Sequence, residues 1–171
     1  IVDGLRDFSP VPTVFFGGFG EPLFHPHIVD MVRRAKQLGT RVELITNGTL
    51  LTKDLSLQLA KAAIDVIWVS LDGATPESYA DIRLGAELPK VIENLGYLYE
   101  AIRAEGSIVR GPCGALPIFK TELGIEFVAM KRNIDDLPAV LALGKRFDAR
   151  RFIITNVLPY TKEMSEQALY H

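Results

Sequence analysis

The sequence predicts an α/β domain built on a parallel sheet, and three observations carry that prediction. Five short runs rich in β-branched and aromatic residues, 11–16, 41–46, 66–71, 124–130 and 151–157, read as strands. Apolar residues recur at helical spacing between them, so strand and helix alternate at intervals of about 20–30 residues, the rhythm of right-handed βαβ units. Every strand run also ends in hydrogen-bonding residues, and in parallel α/β folds the strand C-termini form the ligand edge.

Taken in order, Val2, Leu5 and Phe8 fall at helical spacing, and Ser9-Pro10 ends that pattern. The run 11–16 leads into Gly17-Gly18-Phe19-Gly20-Glu21-Pro22. Three glycines in four positions permit backbone conformations that a Cβ blocks, and they leave main-chain groups open to a close ligand. Glu21 sets one carboxylate at the mouth of the turn. Two readings stay open on these residues alone: a cradle for a small, polar, cationic ligand, or a tight strand-to-helix turn.

Ile28, Met31, Val32, Ala35 and Leu38 mark the next helix, and Gly39 stops it. After 41–46, Thr52 is the N-cap of a helix carrying Leu55, Leu59, Ala62 and Ala63. After 66–71, Thr75-Pro76 opens a short helix with proline in its first turn. Val91, Ile92, Leu95, Leu98, Tyr99 and Ile102 form the longest stripe, entered through Pro89 and ended by Gly106. Residues 107–122, with Gly111-Pro112-Cys113-Gly114 and Pro117, interrupt the rhythm and read as a loop or insertion. The last helix carries Leu137, Val140, Leu141 and Phe147, with Asn133 or Asp135 as its cap. Asn47-Gly48 and Asp72-Gly73 are hairpin-type dipeptides, but helical patterns follow both, so they are read as strand-to-helix turns. One domain, 1–171, is expected.

Composition narrows the function classes. Apolar residues make up 48% and charged residues 23%, as in a soluble globular chain. A net charge of −2 gives no reason to expect nucleic acid or a membrane surface as a partner. No apolar run approaches the roughly 20 residues that span a bilayer, and the N-terminal residues do not read as a signal peptide. The single cysteine, Cys113, excludes an internal disulfide framework and fits a reducing, cytoplasmic compartment. It equally excludes a site built from several thiolates of this chain.

The polar strand ends are Gly17 to Glu21, Thr46-Asn47-Gly48, Ser70-Leu71-Asp72-Gly73, Lys131-Arg132-Asn133, and Thr155-Asn156 leading to Pro159-Tyr160. Period two puts Glu43, Ile45 and Asn47 on one face, and Val66, Trp68, Ser70 and Asp72 on one face. Glu43 and Glu126 are charges inside apolar strands. They line the lumen if the sheet curls into an open barrel, or they point to solvent at ragged strand starts. His25-Pro26-His27 offers too few ligands for a metal site. Cys113 reads as a loop thiol and Lys131-Arg132 as a solvated helix entrance.

With these residues placed, the chain resembles the radical S-adenosylmethionine (radical SAM) superfamily, and within it the tungsten-cofactor oxidoreductase group related to SPASM-type maturases. Phe16-Gly17-Gly18-Phe19-Gly20-Glu21-Pro22-Leu23 resembles the glycine-rich stretch that ends the family's second barrel strand. Leu44-Ile45-Thr46-Asn47-Gly48 and Val69-Ser70-Leu71-Asp72-Gly73 resemble the ends of the third and fourth. Phe127 to Asn133 resembles the fifth, and Ile153 to Tyr160 the sixth. The resemblance implies a partial (β/α)6 TIM-like open barrel of parallel strands without its first βα unit.

It also implies a site for S-adenosylmethionine. Gly18, Phe19, Gly20 and Glu21 would hold the methionine ammonium. Ser70, helped by Asn47 or Asp72, would meet ribose hydroxyls or the carboxylate, and Asn133 would reach one of the same groups. Val157 and Leu158 would pack against adenine. The family's [4Fe–4S] cluster needs three cysteines in a C-x₃-C-x₂-C loop after the first strand. The resemblance places that loop ahead of Ile1, and Cys113 cannot replace it. The implied activity is reductive cleavage of S-adenosylmethionine to a 5′-deoxyadenosyl radical that abstracts hydrogen from a small-molecule or peptide substrate, with this chain alone inactive. A non-catalytic partial-barrel binding module and an unrelated (β/α)-barrel enzyme are the alternatives. Without a first strand, the run from Val11 to Phe16 is expected to be an exposed apolar edge through which the chain self-associates.

Overall fold

The computed structural model describes residues 2–83, 85, 87–111 and 114–170. After a 3₁₀ helix, Val2–Asp7, the chain enters β1, Val14–Phe16. There follow α1 (Ile28–Gln37), β2 (Val42–Thr46), α2 (Lys53–Lys61), β3 (Val66–Ser70), α3 (Pro76–Ile82) and α4 (Leu88–Ala104). Next come β4 (Ser107–Gly111), β5 (Gly114–Ile118), β6 (Glu122–Ala129), α5 (Leu137–Arg146), β7 (Arg151–Asn156) and α6 (Lys162–Gln167). The expected parallel sheet is present: five strands in the order β1-β2-β3-β6-β7, all neighbours parallel.

Local chemistry accounts for the helices. Thr52 caps α2 by accepting the Leu55 N–H, as its sequence position predicts. Thr75 and Ser78 form a reciprocal capping box that starts α3, with Pro76 just inside it. The helix α5 departs from expectation. Neither Asn133 nor Asp135 caps it; a short 3₁₀ turn, Ile134–Asp136, leads into it instead. Asp136, at the cap position, turns its Oδ2 to the N–H of Ala74, 3.0 Å away.

One face of the sheet is covered by helices. Leu44, Ile67, Val69, Ile125 and Phe127 pack there against Val32 of α1, Leu59 of α2, Val91, Leu95 and Leu98 of α4, and Val140 of α5. Alternation sends Phe15, Glu43, Ile45, Trp68, Ser70, Gly124, Glu126 and Ile153 to the other face, in register across the strands. That face is concave. β1 and β7 are opposite edges of the sheet, yet Phe19, just after β1, meets Tyr160, just after β7, edge to face at 6.0 Å between ring centroids. A flat sheet of five strands spaced about 4.8 Å apart would hold those loops far apart, so the sheet curls into the expected open barrel.

Ser107–Gly111 and Gly114–Ile118 pair as a two-stranded antiparallel ribbon where a loop or insertion was expected. Pro112 and Cys113 lie outside the described residues. The ribbon joins the end of α4 to the start of β6, so it projects from the barrel end opposite the strand C-termini. Phe119 anchors its base, with the Arg103 and Arg150 guanidinium carbons 5.8 and 5.4 Å from its ring centre.

Candidate functional site

The C-terminal ends of the strands surround an open cleft of about 510 Å³, lined by Phe15, Gly18 to Glu21, Ile45 to Asn47, Ser70, Arg83 and Glu126. Sites for small molecules fall in this range, about 300–1,000 Å³. A second, apolar chamber of about 420 Å³ adjoins it, between β6, β7 and α6. Val128, Val157, Leu158, Tyr160 and Met164 line it together with Glu126, Thr155 and Asn156.

The glycine turn is built for two reasons. A Cβ on Gly17 would lie 2.4 Å from the Phe15 ring and 2.6 Å from Ile45, and Gly18 has φ +126°, a conformation that favours glycine. Gly20 meets nothing within 4 Å, so its bare backbone faces the cleft rather than the core. Phe19 is fully exposed beside it.

Glu21 buckles β1 to β2. Its Oε1 accepts the Leu23 N–H at 3.1 Å and the Thr46 hydroxyl at 2.7 Å, and its Oε2 accepts the Asn47 N–H at 2.8 Å. A carboxylate offers about four acceptor positions, so one remains on Oε2. Asn47 uses its Oδ1 for the N–H and hydroxyl of Thr49, 2.9 and 2.6 Å away, which leaves its amide N–H groups for a ligand. Ser70, only 5% exposed, donates to Glu126 Oε2 at 2.5 Å across the paired strands β3 and β6.

Asp72 and Asn133 are placed differently from the roles that the resemblance implied. Asp72 is buried; its Oδ1 accepts the Val128 N–H at 2.8 Å, and its Oδ2 holds Arg83 at 2.8 and 2.6 Å. Asn133 is buried too, with Oδ1 on the Met130 N–H at 2.7 Å and Nδ2 on the carbonyls of Asp72 and Val128 at 2.9 and 3.0 Å. Both side chains tie the end of β3 to the end of β6. Neither lines the main cleft. Asn156 likewise turns its amide to the C-terminal segment, bonding Tyr170 O and Leu169 N. Val157 is buried and Leu158 exposed, and both line the apolar chamber.

Arg83 is the residue that sequence reasoning missed. It ends α3, and its guanidinium is fixed from behind by Asp72 while it lines the cleft in front. The signal available was weak: one arginine at a helix end, thirteen positions after Ser70. The two strand carboxylates face the barrel interior, as one of the two sequence readings had it. Glu43 lies lowest, where it accepts the Trp68 indole N–H at 2.8 Å and Arg41 Nε at 2.7 Å. Burial pushes its carboxyl upward, but the bonds from Trp68 and Arg41 outweigh that and hold it below the usual 4.5. In the histidine pair, His25 Nδ1 accepts the His27 N–H.

The fold and cleft define a class: an open parallel α/β barrel with a cleft at its strand C-termini. Solved structures share that fold. Streptococcus suis SuiB superposes with a TM-score of 0.65 when bound to S-adenosylmethionine, at 16% identity over 90% of this chain and 31% of that one. With its precursor peptide SuiA bound the TM-score is 0.68, at 16% identity over 99% of this chain and 34% of that one. The sequence model of the radical SAM superfamily matches residues 1–112, and the chain belongs to that superfamily. A tungsten-containing aldehyde ferredoxin oxidoreductase cofactor-modifying protein from Pyrococcus furiosus is 30% identical over 171 residues, 99% of this chain and 45% of that protein. An AdoMet-dependent heme synthase from Methanosarcina barkeri is 39% identical over 148 residues, 86% of this chain and 37% of that protein. The chain thus spans less than half the length of these relatives.

The family uses S-adenosylmethionine with a [4Fe–4S] cluster. The cleft fits the first of these: one carboxylate acceptor and bare backbone at Glu21 and Gly20, a cation at Arg83, amide and hydroxyl groups at Asn47 and Ser70, and an apolar chamber alongside. The cluster does not fit. Its three thiolates cannot come from one cysteine, and the described residues hold no group of three His, Cys, Asp or Glu arranged to bind a metal. No helix among the described residues is long and apolar enough to cross a membrane.

Proposed function

We propose that this chain is the S-adenosylmethionine-binding part of a radical SAM enzyme core. One observation carries the reading: a charged, polar chamber and a largely apolar one share Glu126 as a wall, matching an amino acid joined through a sulfonium to a nucleoside. The ammonium goes to Glu21 Oε2 and the backbone at Phe19 and Gly20, the carboxylate to Arg83, and the ribose to Ser70 and Asn47. Adenine enters the chamber at Val157 and Leu158. Asp72 and Asn133 serve this site by fixing Arg83 and the end of β6, not by touching the ligand.

In this family S-adenosylmethionine supplies a 5′-deoxyadenosyl radical for hydrogen abstraction, from a small molecule or a peptide. The cluster that this chemistry needs is not held by Cys113, so the 171 residues alone bind S-adenosylmethionine without cleaving it. The same cysteine count favours one alternative, a partial barrel acting only by binding. A phosphate-binding barrel is disfavoured, because Glu21 and Glu126 face the cleft against one arginine.

Calorimetric titration of S-adenosylmethionine into the chain tests the assignment. Glu21→Ala and Ser70→Ala should each weaken binding by about tenfold, the worth of one hydrogen bond to a charged group. Circular dichroism confirms that each variant folds. Equal affinities across the three proteins would remove the site.

A further inference from the structure

We propose that Glu126 makes the cleft select a sulfonium over a neutral thioether, an inference that rests on the S-adenosylmethionine reading above. Among the residues that line either chamber, Glu126 alone lines both. A ligand with its amino-acid end at Glu21 and its nucleoside end at Val157 and Leu158 that follows this shared wall carries its connecting atom past Glu126. In S-adenosylmethionine the connecting atom is the sulfonium, and it carries the positive charge.

The surroundings make that carboxylate count. Glu126 sits in mid-strand between Ser70 on β3 and Ile153 on β7. Its Oε2 accepts from Ser70, and Oε1 has no hydrogen-bond partner among the described residues. The other charged side chains lining the first chamber are accounted for: Glu21 ties β1 to β2, and Arg83 is paired with Asp72. Neither Glu21 nor Glu126 is paired with a cation among the described residues, and Glu126, with a single hydrogen bond against three at Glu21, is the less satisfied of the two. Apolar Val128, Val157 and Met164 lie on the nucleoside side of it, which limits screening by water. Phe19 and Tyr160 meet across the mouth above.

A charge at this place discriminates on the connecting atom alone. S-adenosylmethionine and S-adenosylhomocysteine share both ends and differ at sulfur, in the methyl group and the positive charge that comes with it. Sinefungin carries an ammonium where the sulfonium stands. Attraction to Glu126 favours the first and third over the second. A hydrogen bond from Glu126 to ribose would favour all three alike.

The experiment is a calorimetric titration of the 171-residue chain with each of the three ligands, repeated for Glu126→Gln and Glu126→Asp. Glutamine keeps the length and an acceptor for Ser70 but removes the charge; aspartate keeps the charge. The expected result is that Glu126→Gln loses about tenfold affinity for S-adenosylmethionine and for sinefungin, with S-adenosylhomocysteine within about twofold of wild type. Glu126→Asp should keep most of the preference. Equal loss for all three ligands, or loss of preference in both variants, overturns the proposal and leaves the site assignment standing. Failure of the wild-type chain to bind any of the three overturns the site assignment, and this proposal with it.

Discussion

Gly124 lies under the only tryptophan of the chain, and replacing it with alanine should loosen the floor of the cleft. A Cβ there would stand 2.3, 2.6 and 2.8 Å from Cε3, Cζ3 and Cδ2 of Trp68. Carbon atoms pack best at about 3.5–4.0 Å, so the indole must move by roughly an ångström. It is not free to do so. Trp68 is 6% exposed, and its N–H is bonded to Glu43, which Arg41 holds in turn. Overpacking of this kind costs about 1–3 kcal/mol, and a broken bond to a charged acceptor about 1.5–3 kcal/mol. Replacing a flexible glycine returns about 0.4–1 kcal/mol through the unfolded chain. The net expectation is a loss of about 1.5–5.5 kcal/mol. With a urea slope of about 2 kcal/mol per molar, the midpoint should fall by about 1–3 M. Trp68 reports the transition itself, since its fluorescence is the chain's only indole signal. Its emission should also shift to the red as the ring leaves its site. In a Trp68→Leu background, followed by circular dichroism, the same glycine change should cost under about 0.5 kcal/mol. An unchanged midpoint and emission in the single variant, or an undiminished cost in the double variant, would refute the clash.

Two further outcomes follow from the same face and its edge. Glu43 has a folded pKa below its ordinary 4.5, so the unfolded chain binds its proton first as pH falls. Its contribution is full above the ordinary value and fades as pH drops through the folded one. The stability difference between wild type and Glu43→Gln, measured by urea midpoints from about pH 7 downward, should hold steady and then shrink below 4.5; a gap that widens in acid would contradict the sign. β1 is an edge on which no further strand pairs among the described residues; Val11 just before it is 36% exposed, and Phe15, on the cleft face at that edge, 54%. Sedimentation velocity should show concentration-dependent association that Phe15→Lys reduces; a monomer at every concentration would sink the edge as an interface.

The strands and helices were legible because their signals are local. The core strands are bounded by polar turns, and each long helix carries one apolar stripe. What the sequence hid depends on distance in space. The ribbon of 107–111 and 114–118 was obscured by the prolines and glycines in and between its strands, which read as loop chemistry. Pro117 is tolerated there because both strands of a two-stranded ribbon are edges. Ser70 and Glu126 could each be singled out from their strands, but their contact exists only because β3 and β6 pair in one register across 56 positions. Asn133 could be placed at its strand end, but nothing local says that its amide faces three main-chain groups of its own fold.

The polar residues at the strand ends therefore divide by what bonding capacity the fold leaves them. Asp72 and Asn133 spend their bonding on main-chain groups and Arg83 at the ends of β3 and β6, where an unpaired buried group is costly, and Asn156 spends its own on the main chain of Leu169 and Tyr170. They make the rim rigid. Glu21, Asn47, Arg83 and Glu126 each keep one part facing the cleft while another part is held by the fold: an oxygen, an amide, a guanidinium edge and a carboxylate oxygen. A group fixed on one side and open on the other is already oriented before a ligand arrives, so less side-chain freedom is lost on binding. The glycine turn adds backbone to that set without adding bulk. This division explains why a motif match alone overstates the site. Residues at matching positions share a location, and only the hydrogen bonds decide which of them remain available to the ligand.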